Sequence, residues 1–180
     1  FSNMSIFNLY PKVSYQVDSY DSVRAIDITS SVRIKDFFKT YRGISYRPYV
    51  VQDGERPDNV AHKIYGDSSL DWIILLANDM YNIYEDWPKS SLQLTDYIIE
   101  KYGSLSAATG TVKYYYDSQG NIVDQTTYSD LPAAEQGATE SIYQWELRKN
   151  TNKSKIRLVS PSIVSSLQTD LKSLLYKPIR

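Results

Sequence analysis

The stretch YVVQDGERPDNVAHKIYGDSSLDWIILLAN (Tyr49–Asn78) decides how this chain is read. Tyr49, Val50 and Val51 are aromatic and β-branched, which suits a pleated, half-buried strand. Asp53-Gly54 is a turn dipeptide, because Gly accepts positive φ and Asp can bond its own backbone. Pro57 fits the first position of a helix, where a missing N–H costs nothing. Glu55 and Asp58 sit at the positive end of that helix dipole. Val60, Ala61, Ile64 and Tyr65 share one helical face, and Gly66 supplies a left-handed stop. Ser68 or Ser69 can cap a second helix, in which Leu70, Ile73, Ile74 and Ala77 recur at i, i+3, i+4 and i+7. Trp72, Leu75 and Leu76 cover its other side, so the helix is apolar nearly all round and is predicted to be buried.

The composition bounds what surrounds this segment. A chain of 180 residues suits one domain of moderate size, or a small core with extensions. If compact, it buries roughly 70% of its unfolded surface and needs no disulfide or metal staple. The absence of cysteine excludes disulfides, thiolate metal sites and thiol catalysis. With 20 basic and 21 acidic residues well mixed, the net charge is −1, and no electrostatic footprint for nucleic acid stands out. No apolar run reaches ~18 residues, so no membrane span is expected. The opening FSNMSIFNLYP lacks the basic-then-apolar layout of a signal peptide, which predicts synthesis and use inside the cell. Tyrosine is the outlier, at 17 against four Phe. Its apolar ring and polar tip suit interfaces, or half-exposed strands within one fold, and the interface is the favoured reading.

Along the chain, residues 1–48 read as an N-terminal arm. Its apolar patch of Ile6, Phe7, Leu9 and Tyr10 closes at Pro11, and a polar extended stretch runs from Lys12 to Asp27. Ile28 to Tyr41 has near-helical spacing of apolar residues. Residues 49–88 form the core. In 89–141 a helix from Leu92 to Tyr102 stops at Gly103, and Ser104 to Gly110 reads as a loop. Val112–Tyr116 and Ile122–Thr127 flank the turn cluster Asp117 to Asn121 as a hairpin, and Ser129 to Ser141 reads as a surface linker. In 142–180, Tyr143, Trp145 and Leu147 alternate with polar residues, as do Ile156 and Leu158, so a second hairpin is predicted around Asn150-Thr151-Asn152. Ser160-Pro161 opens a final helix with the stripe Ile163, Val164, Leu167, Leu171, Leu174 and Leu175, ended by Pro178. The fold class expected is α+β: a small βααβ core, one or two β-hairpins and a C-terminal helix.

The central segment resembles the lysin-motif (LysM) module, through Gly54, Pro57, Ile64, Tyr65, Gly66, Trp72, Ile74 and Asn78. The resemblance widens when IFNLYPKVSY (Ile6–Tyr15), YRPYVVQDGERPDNVAHKIYGD (Tyr46–Asp67), LDWIILLANDMYNIYEDWP (Leu70–Pro88) and KSKIRLVSPSIVSSLQTDLKSLL (Lys153–Leu175) are taken together. In that order they resemble the LysM-containing baseplate wedge proteins of contractile-tailed bacteriophages, the gene 53 product type of T-even-like phages. This chain departs from that pattern mainly in its middle region and the 129–141 segment. The resemblance implies a structural virion protein of the tail baseplate, assembled in the host cytoplasm and present in several copies of a six-fold assembly. It implies contacts with other wedge proteins, and with sheath-initiator and hub proteins as further candidates, joining neighbouring wedges around the central hub. It implies no catalytic role and no cofactor. The end patches Ile6, Phe7, Leu9 and Tyr10, and Ile163, Leu167, Leu171 and Leu174, are then the expected partner contacts, since apolar surface must pack on the core or on a neighbour.

Chemical alternatives are weaker. His62 is the single histidine and lies mid-helix between Ala61 and Lys63, so neither a His-based metal cluster nor a Ser-His-Asp arrangement is expected. The carboxylates Glu85 and Asp86 are chain neighbours, whereas glycoside hydrolysis needs carboxyls ~5–9 Å apart across a cleft. They read as a solvated turn. No glycine-rich phosphate loop appears, and Lys153, Lys155 and Arg157 read as strand-face charge or a protein contact. The serious rival is binding of peptidoglycan or another glycan. A LysM groove would use Asp53 to Pro57 and Asn78 to Tyr81, with Tyr81 stacking on a sugar face. A single module binds weakly compared with repeats, which favours docking to protein.

Overall fold

The computed structural model describes residues 6, 9–16, 22–27, 34, 37–38 and 43–176. In chain order its elements are β1 (Lys12–Gln16), β2 (Ser22–Ile26), β3 (Tyr46–Val50), α1 (Pro57–Tyr65), α2 (Asp71–Ala77), α3 (Ile83–Asp86), α4 (Ser91–Tyr102), α5 (Leu105–Gly110), β4 (Val112–Asp117), β5 (Ile122–Val123), α6 (Gln125–Asp130), β6 (Gln136–Ser141), α7 (Ile142–Ser154), β7 (Lys155–Val159) and α8 (Val164–Leu175). This is an α+β protein with small sheets. The described residues divide into two compact units, one within 1–51, 55–87 and 155–180, the other of 52–54 and 88–154.

The first unit is built on the expected strand and helix pair. Pro57 opens α1, and Gly66 ends it at φ 76° with its N–H donated to the His62 carbonyl. Asp67, rather than Ser68 or Ser69, makes the next cap: its carboxylate accepts from the Ser69 amide at 2.8 Å, ahead of a 3-10 turn over Ser68–Leu70. The Ser69 hydroxyl and amide hold that carboxyl below its ordinary range. Helix α2 is buried nearly all round, as its composition predicts, with Trp72, Ile73 and Ile74 at 2% exposure or less. The strand that completes this core is not in residues 49–88. β3 pairs antiparallel with β7, with Tyr46 opposite Val159 and Val50 opposite Lys155. Thus 155–159 is a strand as predicted, but its partner is β3, and the hairpin expected around Asn150-Thr151-Asn152 is replaced by helix.

Within 1–48, the described residues contribute to the core of the first unit. Ile6, Tyr10, Ile34 and Phe37 join the buried cluster of α2, β7 and α8. Ile34, Phe37 and Phe38 carry helical backbone, and the rest of the Ile28–Tyr41 helix reading lies outside the described residues. The extended stretch after Pro11 is the hairpin β1–β2. The final helix also turns inward: after a 3-10 turn over Pro161–Ile163, α8 buries Val164, Leu167, Leu171 and Leu175. Pro178 lies outside the described residues.

The second unit differs most from the sequence reading. Helix α4 forms as predicted, with a reciprocal Ser90/Gln93 capping box and Gly103 at its end. Ser104 to Gly110 is a helix, not a loop, because Ser104 caps it and Ala108 fits fully buried beside α4. The turn at Asp117 to Asn121 forms, its carboxylate accepting from the Gln119 and Asn121 amides. The strand beyond it stops at Val123, because Asp124 caps α6 through the Thr126 and Thr127 amides, each at 3.0 Å. The presumed linker supplies β6, which pairs with β4 in the sheet order β5-β4-β6. Gly137 is required there, since a Cβ would collide with the Asp117 carbonyl. The alternation from Tyr143 to Leu147 belongs to helix α7. Its inward residue is Glu146, 3% exposed, while Leu147 is 43% exposed, so an apolar pattern points the wrong way.

Candidate functional site

The β3–β7 pair carries the surface best suited to a partner. Tyr46, Pro48 and Val50 alternate onto one face of β3 and stand opposite Val159, Arg157 and Lys155. Tyr46, Pro48, Val50, Arg157 and Lys155 line, beside Asn78, a depression of about 650 Å³. The Arg157 guanidinium lies 4.9 Å from the Tyr46 ring centre and donates Nε–H to the Ala77 carbonyl at 2.7 Å. Its far nitrogen is 3.9 Å from Asp79, a loose and exposed pair that adds little. Burial raises the Tyr46 phenol, and Arg157 works against that rise. At neutral pH the face is therefore aromatic, apolar and cationic.

Asn78 fixes this geometry. Its Nδ2 donates to the carbonyls of Ile74 and Arg157, both at 2.8 Å, and its Oδ1 accepts from the Arg157 amide at 2.9 Å. One side chain thus closes the outer edge of β7 and ties the end of α2 to the sheet. Pro48, lacking an N–H, interrupts the free edge of β3. Both edges are blunted against strand addition, which leaves side chains to make any contact.

The other residues that carried the sequence resemblance hold the local structure of the first unit. Gly54 takes φ 74°, a conformation that favours glycine. Pro57 and Ile74 are buried and Ile64 half-buried. The Tyr65 hydroxyl donates to the Val159 carbonyl at 3.1 Å, and burial pushes its phenol up to about 12. The Trp72 indole N–H is buried without a partner among the described residues. The residues expected to meet a partner lie largely in or against the core. Ile6, Tyr10, Leu167 and Leu171 lie in the chain's own core, with Leu9, Ile163 and Leu174 half-buried against it. Phe7 lies outside the described residues. Exposed apolar groups elsewhere among the described residues include Val13, Tyr15 and Val23 on one face of the β1–β2 hairpin, and Val50 on β3.

Polar groups of the supposed glycan groove have internal partners. Asp53 accepts from the Ser91 amide at 2.7 Å and from its hydroxyl at 3.0 Å. Glu55 accepts from the Tyr49 hydroxyl and from Lys63, and its carbonyl takes the Trp87 indole N–H at 2.8 Å. Asp86 accepts from the amides of Tyr81 and Asn82, both at 2.9 Å, so it shapes the loop. Tyr81 itself is 55% exposed. His62 is exposed on α1, and no group of three or more acidic or histidine side chains is placed to hold a metal among the described residues. What sequence reasoning missed is the pairing of Arg157 and Lys155 with Tyr46, Pro48 and Val50. The alternation of charge in β7 was its visible signal.

Comparison with known proteins gives this geometry a context. The family model described as base plate wedge protein 53 matches residues 5–137. The chain is also similar to the baseplate wedge protein gp53 of Enterobacteria phage T4, 24% identical over 191 aligned positions that cover 96% of each chain. With that match spanning most of its length, the chain belongs to the base plate wedge protein 53 family.

Proposed function

We propose that this chain is a structural component of the baseplate wedge of a contractile phage tail, acting through protein–protein contact with no catalytic step. The observation that carries the reading is the family match over residues 5–137, extended by similarity along 96% of the chain to a wedge protein. In its finer form, the chain joins neighbouring wedge proteins, and neighbouring wedges around the central hub, after synthesis in the host cytoplasm. The β3–β7 face supports this: Tyr46 and Arg157 are residue types that anchor interfaces, and the exposed Val50 adds apolar area beside them. We read β3, α1, α2 and β7 as a LysM-like βααβ core reused for docking. The strand–helix–helix–strand order, the Gly54 turn, the Tyr65-Gly66 break and Asn78 support that assignment.

Infection with phage carrying Arg157→Glu and Lys155→Glu, in a chain that still folds, tests the role. Wedges should then accumulate without closing into complete baseplates, as read by sedimentation and by protein identification in purified particles. Normal baseplates from cells making none of this protein would end the assembly reading. Binding of peptidoglycan fragments that is lost on Tyr81→Ala would replace it with the glycan reading.

A further inference from the structure

In the second unit, three ammonium groups share one indole. Lys149 Nζ lies 4.3 Å from the Trp145 ring centre, Lys113 Nζ 4.9 Å and Lys101 Nζ 6.0 Å. Three elements deliver them: Trp145 and Lys149 are one turn apart on α7, Lys113 comes from β4, and Lys101 from the last turn of α4. The Tyr114 ring meets the indole edge-on at 6.5 Å. Such cation–ring contacts hold the ammoniums in place without neutralising them.

The carboxylate in reach is Glu146. It accepts from the Tyr102 hydroxyl at 2.8 Å, from Lys101 at 3.0 Å and from Lys149 at 3.5 Å. Its side chain is 4% exposed, so it faces inward and cannot also serve the surface. The partners of Lys113 among the described residues are the rings of Tyr114 and Trp145. A neighbouring pair shows the balanced alternative: Arg148 meets Glu140 through two bonds, at 2.7 and 2.8 Å. Around Trp145 three cations face one carboxylate. Like charges gathered around one ring disfavour one another, and an outside anion would relieve that.

We propose that the Trp145 cluster is a docking site for a carboxylate-rich segment of another protein chain, whose Asp or Glu side chains bridge Lys113 and Lys149 across the indole. Charge complementarity selects the acidic partner, and a half-buried tryptophan ringed by lysines gives it an aromatic anchor. A polynucleotide fits less well, because its affinity comes from many phosphate contacts along a basic tract, and this chain has net charge −1. The site deepens the assembly role and rests on it only in taking the partner to be a protein.

The test titrates the full chain with a polyglutamate peptide and, in parallel, with a thymidine oligonucleotide of equal charge, following the three indole N–H resonances. The peptide should shift Trp145 and leave the buried Trp72 and Trp87 in place. In the Lys113→Gln/Lys149→Gln chain, with unchanged melting, its affinity should fall by about tenfold or more. Unchanged affinity in that variant overturns the site. Tighter binding of the oligonucleotide than of the peptide overturns the protein partner. Because the readout is peptide binding by the isolated chain, it stays separate from the baseplate outcome of the Arg157 and Lys155 changes.

Discussion

The two units of this protein are held together by different chemistry. In the first, a continuous cluster runs from Ile6 through α2 and β7 to Leu175, and its largest members are almost fully buried. In the second, the buried apolar cluster is Leu94, Ile98 and Ala108, with tyrosines packed around it. What the second unit lacks in aliphatic core it makes up with tyrosine hydroxyls on acceptors. Tyr102 bonds Glu146, Tyr116 bonds Glu140, and Tyr128 bonds the Gly137 carbonyl. The abundance of tyrosine over phenylalanine thus has an intramolecular reason. Apolar burial tolerates changes of pH and salt, whereas a network of carboxylates and ammoniums does not.

The contrast is sharpest at Trp72. Trp72→Ala should cost the first unit ~3–5 kcal/mol through the cavity it leaves, measured by denaturant unfolding. Trp72→Phe should cost far less, since it also removes a buried N–H that has no partner among the described residues. Equal losses for the two variants would mean that the indole nitrogen is satisfied after all. In the second unit the sensitive position is backbone. Gly137→Ala should cost ~1–3 kcal/mol by forcing β6 away from Asp117, seen as faster amide exchange in β4 and β6. A variant with native exchange there would break the close-approach account.

Two carboxyls sharpen the comparison through pH. Burial works to raise Glu146, but hydrogen bonds from Tyr102 and Lys101 outweigh it and hold the group below its ordinary 4.5. Its contribution is therefore present above 4.5 and lost as pH falls through the depressed value. Glu146→Gln should cost ~1–2 kcal/mol at neutral pH, discounted because Lys101 is 40% exposed, and little in acid. Asp71 behaves in the opposite sense. Burial raises it above its ordinary 3.8, so the charged form is disfavoured and stability declines as pH rises through the folded value. Asp71→Asn should bring a small gain in melting temperature at pH 7 that vanishes in strong acid. A loss at pH 7 would show that the charge is needed at the Trp72 amide it caps at 2.8 Å.

The first unit was legible in the sequence because its rules are local. Pro57, Gly66 and the apolar run of α2 each fix a short stretch by steric or packing preference. The β3–β7 pairing was not, since no local preference names a partner that comes after an entire intervening unit. The alternation in Tyr143, Trp145 and Leu147 misled for a related reason. In α7 the buried residue is a carboxylate whose partners lie on α4, and hydropathy cannot register a satisfied charge. The end patches read as surface that must be covered, and the chain's own core covers Ile6, Tyr10, Leu167 and Leu171. Of the candidate site, the alternating charge of Lys155 and Arg157 was visible, while its aromatic neighbours were not.

Because Val50 finds its partner in Lys155, the order of synthesis matters. A ribosome releases β3, α1 and α2 long before the strand that closes their sheet, so early in translation this half has an unfinished edge and an incomplete core. Residues 88–154 are continuous and can gain structure in the meantime. Long-range closure is the slow step, since loop entropy must be overcome before the contact is made. Pulse-labelled refolding should therefore protect α4 before it protects β3 and β7. The reverse order would mean that the first half forms its core without waiting for the strand.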